Sequence, residues 1–72
     1  MTTVQAEVIA ALAKNNMNTT ATAKDLCFHR NSIYHHIGMI RRDTGLNPLN
    51  FYDLCSLLKK AKAVLGGDHD ND

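Results

Sequence analysis

Apolar residues recur three or four positions apart in four separate stretches of the chain, the spacing of amphipathic helices. The first stretch, residues 4–15, is alanine-rich and sets Ala6, Ile9, Leu12 and Ala13 on one face. The polar run Asn15, Asn16, Met17 and Asn18 ends it, because asparagine tolerates left-handed backbone and competes for local hydrogen bonds. Asn18, Thr19 and Thr20 offer capping oxygens for a second helix of about two turns, with Ala23 and Leu26 inward. Cys27, Phe28 and His29 interrupt it. A third helix starts at Arg30 or Asn31, carries Ile33, Ile37 and Ile40 as one buried stripe, and stops at Gly45. Asn47 and Pro48 mark a turn, since proline pushes its predecessor out of helical backbone. Asn50 can cap a fourth helix over residues 51–65, with Leu54, Leu57, Leu58, Ala61 and Leu65 inward. The pattern predicts an all-α fold, a small helix-turn-helix bundle of about four helices.

Length narrows the function classes. A chain of 72 residues implies one domain, expected over residues 1–66, followed by an acidic flexible tail at 67–72. A core this small has little volume to spare for a substrate cavity. The chain also shows no carboxylate couple, nucleophile motif or phosphate-binding loop. It is not expected to be an enzyme, and no cofactor or small-molecule ligand is evident. No apolar run is long enough for a membrane span, and no secretory signal opens the chain, so a cytoplasmic protein is expected. Cys27 and Cys55 are read as free, buried thiols. Cys27, His29, His35 and His36 are not expected to bind metal. The Cys27–His29 spacing is too tight for a finger pair, and adjacent histidines on a helix point about 100° apart.

Charge becomes informative once it is divided along the chain. The net charge is +1, but Asp68, Asp70 and Asp72 lie in the tail, which leaves +4 on residues 1–66. No acidic residue occurs from position 26 to 42. A short helix ending near Leu26, then a three-residue break and a second helix that both begin in this window, form the spacing of a helix-turn-helix. Ala23 is small where the helices cross, Phe28 plugs the break, and Ile33 and Ile37 anchor the next helix. Its first turn then protrudes, with a width suited to the major groove of double-stranded DNA. Arg30, Asn31, Ser32, Tyr34, His35 and His36 lie outward there. Arginine can bond guanine in bidentate fashion, asparagine can pair with adenine, and tyrosine and histidine can donate to phosphate. Thr20 and Thr22, near the start of the second helix, are expected at phosphate, joined by Lys24, His36, Arg41 and Arg42.

These residues also carry a family resemblance. The run Thr20-Ala21-Thr22-Ala23-Lys24, followed by His29-Arg30-Asn31-Ser32-Ile33, Ile37, Ile40 and Thr44-Gly45-Leu46, resembles the PucR-type C-terminal helix-turn-helix domain. It is more distantly similar to the DNA-binding domain of Fis-like proteins. The resemblance covers roughly residues 5–65 and implies a bacterial-type transcription regulator that binds DNA sequence-specifically. Carried over, it implies base contacts from His29, just before a recognition helix spanning about Arg30–Thr44, and from Arg30, Asn31, Ser32, Tyr34 and His35 on it. The family tends to have arginine where Tyr34 and His36 stand, and Met17 occupies a position where glycine commonly closes the first helix.

The competing reading is a helix-turn-helix scaffold used for protein docking or dimerisation, without specific DNA readout. The fourth helix supplies Leu54, Leu57, Leu58 and Leu65 as a possible dimer or partner surface. A homodimer on two half-sites is expected under the DNA-binding reading, and the same leucines could instead meet a partner domain.

Overall fold

A computed structural model describes residues 1–66; the expected tail at 67–72 lies outside the described residues. Four helices follow in order: α1 Thr3–Lys14, α2 Thr19–Leu26, α3 Arg30–Thr44 and α4 Phe51–Gly66. Among the described residues there is no strand.

Helix α1 is the centre of the bundle. It packs on α2 and α3 and most extensively on α4. For that reason Ala6, Val8, Ile9 and Leu12 are all fully buried, a wider face than a single stripe predicts. A capping box starts the helix: Thr2 Oγ1 accepts from the Gln5 amide at 3.1 Å, and Gln5 Oε1 accepts from the Thr2 amide at 3.1 Å. The same Gln5, 4% exposed, donates through Nε2 to Asp43 Oδ2 at 3.0 Å and ties the start of α1 to the end of α3.

That bond holds the Asp43 carboxyl below its usual range, with Arg42 adding to it and partial desolvation opposing. Depressed in the folded state, the group stabilises the fold above the usual carboxylate range, and the contribution is lost as pH falls through the folded value. Stability is expected to decline below about pH 5, and Gln5→Met to flatten that decline. Urea titrations across acidic pH check this.

The breaks between helices are built by local backbone chemistry. Asn15 caps α1, and Asn16 and Met17 then take left-handed backbone at φ 56° and 66°. Asn18 Oδ1 accepts from the Ala21 amide at 2.9 Å and starts α2. Cys27 ends α2 with φ 57°. The Phe28 amide then donates to the Ala23 carbonyl at 2.8 Å, and the Phe28 ring packs against the core. At the end of α3, Gly45 takes φ 75°, where glycine has no Cβ to clash. Pro48 is buried in the connection, and Asn50 Oδ1 accepts from the Asp53 amide at 3.1 Å to start α4.

Both cysteines are free, as expected, but exposed rather than buried. Cys27 sits at a left-handed cap outside the helix-packing surface. Cys55 is one residue past Leu54, a rotation of about 100° away from the core. Because Cys27 carries a Cβ in left-handed backbone and has little packing to lose, Cys27→Gly is expected to stabilise the domain. The gain is about 0.5–1 kcal/mol, once the greater freedom of glycine in the unfolded chain is offset. Chemical denaturation measures it.

Candidate nucleic-acid interface

Helix α3 separates its residues cleanly. Ile33, Ile37 and Ile40 face the core, whereas Arg30, Asn31, Tyr34, His35, Arg41 and Arg42 are exposed on the flank and outer side of the helix. His29 caps the helix, its Nδ1 accepting from the Asn31 amide at 3.3 Å. In a neutral ring that acceptance places the proton on Nε2, which makes it a donor.

Next to this first turn, Thr20 and Lys24 of α2 meet His29 and Arg30 around an open groove of about 430 Å³, floored by Ala23 and Phe28. No carboxylate lines it. Among the described residues the ion pairs are Lys14–Asp25 at 3.4 Å and Arg42–Asp43 at 3.5 Å, so Lys24, Arg30 and Arg41 keep their charge unpaired. Asn15 and then Lys14 hold the Asp25 carboxyl below its usual range, which keeps that neighbour of Lys24 engaged elsewhere. A second depression, about 480 Å³ between α1, α2 and Leu65, contains Glu7 and the Lys14–Asp25 pair and gathers no set of like charges.

Several expected site residues stand differently from the sequence reading. Thr22 is fully buried, with its Oγ1 donating to the Asn18 carbonyl at 2.8 Å, so it cannot reach a phosphate. It lies one position before Ala23 on the inner side of α2. Thr19, absent from the expected set, contacts α3: its Oγ1 and the Tyr34 hydroxyl lie 3.1 Å apart. This contact aims Tyr34 at the start of α2, a direction set by the crossing of the two helices. His36 is half-buried, its ring centroid 5.6 Å from that of Phe28 and 5.8 Å from that of His35. Ser32 is half-buried in the first turn. Arg41 and Arg42 are exposed but lie about 16–18 Å along the helix from Arg30, at 1.5 Å per residue.

The expected partner surface also needs correction. Leu57 is fully buried and Leu54 is 5% exposed, because α4 turns these residues against α1. Leu58 is half-buried, and Leu65 is exposed at the end of the helix. The most exposed apolar side chains on α4 are Phe51 and Tyr52, at 60% and 78%, with ring centroids 5.6 Å apart. Phe51 borders a cleft of about 290 Å³ shared with Met17, Leu54, Cys55 and Leu58.

Among the described residues, no group of His, Cys, Asp and Glu is arranged to hold a metal ion. Nor is any helix among them long and apolar enough to cross a membrane. No curated protein and no solved structure matches the chain. The family model of the PucR C-terminal helix-turn-helix domain matches residues 5–63, most of the described chain. With the α2–α3 geometry and a match of that extent, the chain belongs to the PucR C-terminal helix-turn-helix family, whose scaffold points to DNA as its partner.

Proposed function

We propose that this domain binds double-stranded DNA sequence-specifically as part of a transcription regulator, with α3 lying in the major groove. The observation that carries this reading is the groove where Thr20, Lys24, His29 and Arg30 converge without a carboxylate. A backbone phosphate seated against Thr20 and Lys24 fixes the register of the domain, while Arg30, Asn31 and Ser32 reach base edges from the first turn of α3. The Tyr34 hydroxyl, held by Thr19, and His35 border the same approach. The exposed Phe51–Tyr52 edge of α4 favours two copies side by side on neighbouring half-sites, a homodimer of a protein that works in the cytoplasm.

Salt dependence tests the electrostatic part. Affinity for a duplex of arbitrary sequence is expected to fall steeply with salt. Lys24→Ala should weaken binding to all sequences alike and lower the log–log slope by about 1. Duplex binding indifferent to salt, or a Lys24→Ala slope equal to that of the wild type, contradicts the assignment.

A further inference from the structure

Gly38 lies in the middle of α3, and nothing within the domain calls for a glycine there. Its backbone φ is not positive, and among the described residues a Cβ built on it meets no atom within 4 Å. It is exposed, so no packing against another helix excludes a side chain. Yet glycine inside a helix is unfavourable relative to alanine. No described residue accounts for the glycine, and its bare backbone leaves this face of α3 open to close approach by a partner.

The neighbours identify what that is. On a helix surface the residues three and four positions away are adjacent. For Gly38 these are Tyr34 and His35 on one side and Arg41 and Arg42 on the other, all four exposed. Bare backbone thus lies beside two guanidinium groups and an imidazole, donors suited to phosphate oxygens, while the Tyr34 hydroxyl is turned toward Thr19. Arg42 contacts Asp43 through Nε alone, at 3.5 Å, and its terminal nitrogens remain available. Asp43 is itself drawn toward α1 by Gln5.

We propose that Gly38 is a contact notch for a DNA phosphodiester: the missing side chain lets the backbone of one strand lie against α3, within reach of Arg41 and Arg42. It lies about 12 Å along the helix from Arg30. The notch therefore forms a second phosphate site, distinct from the groove at Thr20 and Lys24. It also gives Arg41 and Arg42 a shared target that the first turn of α3 cannot provide. The inference rests on the proposed DNA binding, and its test separates the two.

The experiment compares wild type, Gly38→Ala, Arg41→Ala and the double variant in thermal unfolding and in duplex titrations at several salt concentrations. Gly38→Ala is expected to raise Tm by about 4–8 °C while weakening duplex binding about tenfold and lowering the salt slope by about 1. The double variant should lose little more affinity than the weaker single one, because both substitutions act on one phosphate. A bulkier Gly38→Leu should weaken binding further. Higher Tm with unchanged affinity and slope in Gly38→Ala overturns the notch, as do additive losses in the double variant. If the wild type binds no duplex at any salt concentration, the DNA reading falls first and the notch falls with it.

Discussion

Ile33→Ala is expected to destabilise the domain by about 3 kcal/mol, within the range for truncating a fully buried isoleucine. Ile33 is 0% exposed and is the first inward residue of α3, in the same apolar cluster as Ala23, Ile9 and Leu57. Its removal takes away both the transfer energy of the lost methyl groups and the contacts of the atoms left around the void. A domain of this size has only about 4–10 kcal/mol of stability in total, so the substitution consumes a large share of it. The consequence for function is specific. Ile33 holds the start of α3 against the bundle, and the exposed Arg30, Asn31 and Tyr34 depend on that anchor for their direction. Urea unfolding followed by circular dichroism gives the stability change. A loss below about 1 kcal/mol would mean that the first turn of α3 is held by something other than this stripe.

Arg30→Ala is expected to weaken binding to a preferred duplex by roughly 10- to 100-fold, as for loss of one good bidentate base contact. Binding to a scrambled duplex should fall much less. The distinction comes from geometry: Arg30 is the first residue of α3, exposed and without a carboxylate partner, beside a groove already supplied with Lys24. Arg30→Lys separates charge from shape. Lysine keeps the charge but lacks the planar fork, so it should restore non-specific affinity without restoring discrimination. Competition titrations with the two duplexes read both quantities. Equal weakening on both duplexes would assign Arg30 to phosphate and leave base reading to Asn31 and Ser32.

Much of the fold was legible because its signals are local. Ile33, Ile37 and Ile40 at helical spacing, Asn18 as a cap and Gly45 as a stop each act within a turn or two of chain. The capping box at Thr2 and Gln5 is equally local but absent from the sequence reading, and the second role of Gln5, as the donor to Asp43, is long-range. What could not be read depends on which helix lies against which. The burial of Val8 follows from α1 having neighbours on several sides. The division of leucines on α4, with Leu54 and Leu57 inward and Leu65 outward, depends on how that helix sits along α1. Thr22 and Thr19 depart from the sequence reading for the same reason. Periodicity places both on α2, but only the crossing with α3 shows that Thr19 faces Tyr34 while Thr22 bonds back to Asn18. The lack of carboxylates around His29 and Arg30 was legible in the absence of acidic residues between positions 26 and 42.

Selection from a library of random duplexes, with salt dependence measured on the enriched sequence, tests DNA reading by α3 most directly. Enrichment of a short motif is expected, bound more tightly than scrambled sequence by a factor that Arg30→Ala reduces roughly 10- to 100-fold, with affinity falling as salt rises. Repeated rounds without any enriched motif, together with binding that does not respond to salt, would contradict it.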